Sequence, residues 1–249
     1  MNKRSSLLLL LVIALFSCAN ALADNLLLNG SFETPVVPQS STCGPYADCI
    51  GYHNGVGDSI GGWLVIGKAG VDSQGNPIPG SPASVLQLGY NYQEPKSMTA
   101  TVLNFHPQDG LQSVDLTGEG NQGVDNGIKQ TVTTVPGSMY DISFWVGHQD
   151  PTAEGYTLGP ALIGLVIDQN SPVLFSNDLA ILNDVAWQQF NYMFTATGTQ
   201  TTIAFLNETP IGNNFAGLDN VVLQSIPEPA SVILLGSGLA GFLGLRRKR

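Results

Sequence analysis

Between residues 24 and 226 no stretch holds a helical hydrophobic period for ten residues or more, and this excludes helical architectures first. What recurs is a short apolar segment, often alternating, closed by glycine, proline, asparagine or aspartate. The pattern predicts strands over 25–29, 62–67, 84–89, 98–104, 112–117, 127–134, 139–147, 161–168, 172–176, 187–195, 201–207 and 217–224. Short strands at this spacing favour a β-sandwich or jelly roll. Alternation also assigns faces, because successive side chains of a strand point to opposite sides. Tyr140, Ile142, Phe144 and Val146 share a core face, as do Phe190, Tyr192 and Phe194, and Ile203 with Phe205. Trp145 falls among polar neighbours on the other face. Trp63 and Trp187 each open a strand and are expected in the core.

The body, 24–226, has no long linker, charge block or repeat, so one domain with one core is expected. Its charge is lopsided: 18 acids face Lys68, Lys96 and Lys129, a net of −15, with no arginine. A surface of that sign repels phosphate backbones, which excludes nucleic acid as partner. Without arginine, recognition of anionic substrates is disfavoured too.

Both ends of the chain read as addresses. Residues 1–23 have the form of a secretory signal peptide: Lys3 and Arg4, the apolar run Leu7 to Phe16, and the small-x-small site Ala21-Leu22-Ala23. A lipoprotein signal acylated at Cys18 is the competitor, with Phe16 a poor fit. Residues 227–249 begin Pro227-Glu228-Pro229, continue with 16 apolar residues from Ala230 to Leu245, and end in Arg246, Arg247, Lys248 and Arg249. That run is short of the roughly 20 residues of a full span, and its glycines weaken it as a helix. A plain membrane anchor with its basic end in the cytoplasm accounts for the segment.

The ordered tripeptide, short apolar helix and basic cluster also resemble the PEP-CTERM sorting signal. The resemblance implies export through the inner membrane to the cell envelope or surface, anchoring through the C-terminal transmembrane helix, and processing by an exosortase in an exopolysaccharide-making cell. Export agrees with cysteine usage. Cys43 and Cys49 remain after removal of the signal peptide and suit a small disulfide loop; zinc would need two more ligands, with only His53 nearby.

Asn25-Leu26-Leu27-Leu28-Asn29-Gly30-Ser31-Phe32-Glu33 resembles the opening of galactose-binding-like jelly rolls, among them many carbohydrate-binding modules. Gly62-Trp63, Ser113 to Leu116, Gly127 to Thr131, Tyr140 to Phe144, Trp187 with Phe190, and Gly217 to Val221 follow in the order seen in a domain of unknown function of plant cell-wall and bacterial exported proteins. In several relatives the first and last strands share a structural calcium. The resemblance would place its carboxylates at Glu33 and Asp219, which otherwise read as neighbours of ordinary turns. Asp115 to Asp125 is a looser acidic loop without EF-hand spacing.

Catalytic signatures are sparse: there is no H-E-x-x-H, and His53, His106 and His148 sit on separate segments. A paired-carboxylate hydrolase is defined in space and is not readable here. Neutral sugar fits better, since aromatics stack on its apolar faces while amides and carboxylates meet its hydroxyls. Trp145 leads the candidates, with Tyr90, Tyr92, Tyr156 and His148 in or beside Gly/Asn/Pro-rich loops. The expected protein is therefore a non-catalytic, exported polysaccharide-binding module. A structural surface or adhesion protein without a small ligand is the alternative.

Overall fold

The computed structural model describes residues 24–37, 51–67, 85–90, 93–95, 102–118, 126–149, 159–210 and 215–227. Fourteen strands appear among them. They are β1 (Gly51–Asn54), β2 (Ser59–Ile60), β3 (Trp63–Ile66), β4 (Val85–Gly89), β5 (Gln93–Pro95), β6 (Val102–Asn104) and β7 (Gln112–Asp115). The second half adds β8 (Gly127–Thr133), β9 (Met139–Gln149), β10 (Ala161–Ile167), β11 (Val173–Asn177), β12 (Val185–Thr195), β13 (Gln200–Asn207) and β14 (Gly217–Ser225). They form two six-stranded antiparallel sheets, β1-β4-β7-β14-β9-β12 and β11-β10-β13-β8-β3-β2, and a small β5–β6 hairpin. This is a jelly-roll sandwich, the expected class. The described residues contain no helix, and so none long and apolar enough to cross a membrane. The predicted signal peptide, the Cys43–Cys49 pair and residues 228–249 lie outside them.

The core forms where the alternating faces of the two sheets meet. Tyr140, Ile142, Phe144 and Val146 are at most 3% exposed, as their spacing requires. Phe144 sits at the centre of a ring cluster, with Phe205 of the opposite sheet at 4.9 Å and Phe175 at 5.0 Å, both edge-on. Edge-to-face rings gain quadrupole attraction beyond the roughly 1.5–3 kcal/mol of burying each side chain. Phe190, Tyr192 and Phe194 pack against this cluster from edge strand β12. Trp63 is fully buried between Phe32 and Phe205, its indole nitrogen donating to the Asn29 carbonyl at 3.1 Å.

The predicted strand 25–29 is a series of turns. Its backbone is satisfied by side-chain amides rather than by a ladder. Gln130 accepts from Leu28 N–H through Oε1 at 2.7 Å and donates through Nε2 to the same residue's carbonyl at 3.1 Å. Asn25 accepts from Leu223 N–H and donates to the Val221 carbonyl, both at 2.9 Å. The segment still runs beside the last strand, because Leu26 N–H donates to Leu223 O and Val221 N–H to Gly30 O. An amide carries one donor and one acceptor group and substitutes for a peptide unit, so alternation alone cannot exclude this arrangement.

Downstream, Gln87 and Gln112 both donate to the Phe32 and Pro35 carbonyls, holding residues 32–37 against the sandwich. The strands missed by the pattern, β1, β2 and β5, are four residues or fewer.

Candidate functional site

The outward face of the β4-β7-β14-β9-β12 sheet carries the residues of interest. Side chains directly opposite one another in an antiparallel pair share a face. One row across the sheet therefore reads Leu86, Asp115, Gly217, Gly147 and Trp187. The neighbouring row brings Asp219 beside Trp145 and Trp145 beside Gln189. Trp145 is half-buried, and its indole N–H has no hydrogen-bond partner among the described residues. The outward position expected of it from alternation is the one observed.

Two adjacent glycines form a floor in the middle of this face. A Cβ on Gly147 would lie 2.8 Å from Val185 and 2.9 Å from Trp187 ring atoms, and one on Gly217 would lie 2.8 Å from the Phe215 ring and 2.9 Å from Trp187. The Trp187 indole thus occupies the space that side chains at these positions would need. Trp187 was expected in the inter-sheet core; it is instead half-buried on the opposite face, in a second apolar cluster with Leu88, Leu103, Phe105, Val185 and Phe215. The signal was present, since Trp187 has the parity of Asn191 and Met193 rather than of Phe190.

A segment from Asn104 to Gln112 crosses this face as a strap. Carboxylates fasten its backbone at three places. Asp184 Oδ1 accepts from His106 N–H at 3.2 Å; Asp219 Oδ2 accepts from Gln108 and Asp109 N–H at 2.8 and 3.0 Å; Glu33 Oε1 accepts from Leu111 and Gln112 N–H at 2.7 and 2.9 Å. Trp187 Nε1 donates to the His106 carbonyl at 2.9 Å, tying strap to sheet.

Asp219 sits where β14 departs from regular pairing with β9, between Asp219 and Val222, with Asn220 in the left-handed region at φ +45°. The irregularity lets Leu218 and Leu223 both reach the core while Asp219 faces outward, a common use of a bulge. Asp219 is fully buried, and burial pushes its carboxyl up to about 7 despite the amide donors of Asp109, Asn220 and Gln108. Glu33 and Asp219, the carboxylates expected at a calcium site, hold the two ends of the 108–112 loop. Among the described residues no group of three or more His, Cys, Asp or Glu side chains gathers for a metal.

Tyr90, exposed at the end of β4, lies 4.9 Å from the His106 ring. His106 is bound through Nδ1 to Asp184 Oδ2 at 2.6 Å. No motif pointed to this pair, whose members are 78 residues apart. His148 is elsewhere. It shares the face of Val146, is buried, and its ring nitrogens meet the carbonyls of Leu179 at 2.7 Å and Gly159 at 3.0 Å. It therefore clasps two loops and is not brought to Trp145. Tyr92 and Tyr156 lie outside the described residues.

Residues 225–248 match the PEP-CTERM protein-sorting motif, within two residues of the tail bounds read from sequence. The motif implies export and exosortase processing. No curated protein matches the chain. Among solved structures, the chain is similar in fold to a Stig cyclase, Fisc, from Fischerella sp. TAU, solved with (3Z)-3-(1-methyl-2-pyrrolidinylidene)-3H-indole. The identity is 18%, the coverage 83% of this chain and 100% of that one, and the TM-score 0.50. A looser match, TM-score 0.42 and 15% identity over 82% of this chain and 100% of that one, is TmCBM61 in complex with β-1,4-galactotriose. The CBM22-1 xylan-binding domain of Paenibacillus barcinonensis Xyn10C follows at TM-score 0.36 and 14% identity, over 72% and 94%. The body thus has the jelly-roll fold, and the tail carries a sorting motif.

Proposed function

We propose that the protein is a non-catalytic component of the cell envelope that binds neutral polysaccharide, the exopolysaccharide of its own surroundings, on the outward face of the β4-β7-β14-β9-β12 sheet. The observation carrying this reading is the state of Trp145. It is a half-buried indole on the interior strand β9, flanked by Asp219 and Gln189, with its N–H unpartnered among the described residues. A pyranose offers the complement: apolar C–H faces for the ring and hydroxyls for the polar groups beside it. The net charge of −15 over the body favours uncharged glycans over anionic ones.

A structural calcium held by Glu33 and Asp219 belongs to the same proposal. A fully buried carboxyl raised to about 7 is one whose charge lacks compensation, and a divalent cation would supply it. The ion would tie the 108–112 loop to the start and end of the chain.

Polysaccharide pull-down over a panel of neutral glycans, with Trp145→Ala as control, tests the binding reading. Retention of the wild-type chain and a loss of at least about tenfold in the variant are expected, the scale of one lost aromatic contact. Binding that ignores the substitution removes Trp145 from the site.

A further inference from the structure

The Tyr90–His106–Asp184 group remains unexplained by the fold. Its geometry is unusually determined for a surface histidine. Asp184 spends Oδ2 on His106 Nδ1 and Oδ1 on the backbone N–H groups of His106 and Val185, so one carboxylate fixes both ring and main chain. Trp187 Nε1 holds the His106 carbonyl. Tyr90 lies against the imidazole at 49°. Four contacts thus immobilise a ring that is still 41% exposed, beside a tyrosine that is 44% exposed.

A carboxylate on Nδ1 selects the tautomer that carries its proton there. Nε2 is then a lone pair, and neither it nor the Tyr90 hydroxyl has a hydrogen-bond partner among the described residues. The strap runs from His106 to Gln108, whose N–H is bound by Asp219, the neighbour of Trp145. The strap thus ties this group, through the buried Asp219, to the strand pair that carries Trp145.

We propose that Tyr90, His106 and Asp184 form a second glycan subsite, in which a neutral pyranose stacks on Tyr90 and donates one hydroxyl to His106 Nε2. The proposal rests on the polysaccharide reading above and extends it with a residue-level contact. Asp184 is the positioning residue: it keeps Nε2 an acceptor, which a sugar hydroxyl can satisfy as donor. Tyr90 supplies the apolar face. The body carries no arginine, so the bidentate donor that an anionic sugar would call for is lacking.

The test uses the full chain in detergent, with affinity for neutral xylan, mannan, galactan and glucan measured by titration calorimetry. His106→Phe keeps a ring against Tyr90 and removes the acceptor, and Tyr90→Ala removes the stacking face. Each is expected to weaken binding about tenfold or more, as one lost contact would, with far-ultraviolet circular dichroism and Tm unchanged. Undiminished binding in both variants, together with loss in Trp145→Ala, overturns the subsite and leaves the polysaccharide reading standing. Failure of the wild-type chain to bind any of the four overturns both. Independently of ligand, long-range ¹H–¹⁵N correlation reads the tautomer: a proton on Nδ1 of His106 alone is expected, and a proton on Nε2, with or without one on Nδ1, overturns the acceptor role.

Discussion

Asp219 makes the pH dependence of stability a direct test of the site. Burial raises its carboxyl from 3.8 to about 7 in the folded chain, so folding favours the protonated form. The corresponding stability is fully present below about pH 4 and is lost as pH rises to about 7. Each pH unit between the two values is worth about 1.36 kcal/mol, so the three-unit interval amounts to about 4 kcal/mol. That is a large part of the 5–15 kcal/mol typical of a domain. Asp219→Asn removes the titration. It also puts an amide donor at one of the two oxygens that together met three backbone N–H groups, leaving at least one of those N–H groups without its acceptor, which costs on the order of 1–3 kcal/mol. The two stability curves should therefore converge or cross between pH 4 and 7, the variant being weaker in acid and relatively stronger at neutrality. Urea denaturation of the full chain in chelator at half-unit intervals measures both curves, and their difference isolates Asp219 from other titrating groups. A wild-type curve parallel to that of Asp219→Asn would refute the claim that this carboxyl is buried at an energetic cost.

Calcium should flatten that slope, because a bound cation stabilises the carboxylate. Saturating calcium is expected to raise Tm by several degrees and flatten the acid-to-neutral loss, with Glu33→Gln abolishing the effect; an unchanged Tm removes the ion. Gly147→Ala forces its new methyl against Val185 and Trp187, and should cost about 1–3 kcal/mol with a red shift in tryptophan emission. Unaltered emission and stability would mean that Trp187 does not lie on the glycine floor. Phe144→Ala opens the centre of the ring cluster and should cost about 3–5 kcal/mol by denaturant unfolding. A loss below about 1 kcal/mol would place the core elsewhere.

Alternation within a single strand was legible in the sequence. Tyr140, Ile142, Phe144 and Val146 alternate within one strand, and alternation is imposed by the strand's own geometry, independent of its partners. The same parity put Trp145 outside the core, and applied to Trp187 it would have done the same. Residues 25–29 were misread because Asn25 and Gln130 supply the pairing that a neighbouring strand would have supplied. Gly51–Asn54, Ser59–Ile60 and Gln93–Pro95 are too short to show a period.

The C-terminal motif, charge sign, strand periodicity and core faces are properties of residues near one another in sequence, and the sequence by itself determined them. The C-terminal address is of this kind, being a contiguous motif. The meeting of His106 with Asp184, the fastening of one strap by Asp184, Asp219 and Glu33, and the seating of Trp187 on Gly147 and Gly217 were decided only by tertiary structure. Those contacts depend on sheet order and on a segment crossing between strands. Each joins groups 40 to 111 residues apart except Trp187 with Gly217, which meet across β9, and no local spacing encodes such a distance. The physical reason is that long-range packing, rather than backbone propensity, selects which outward side chains become neighbours.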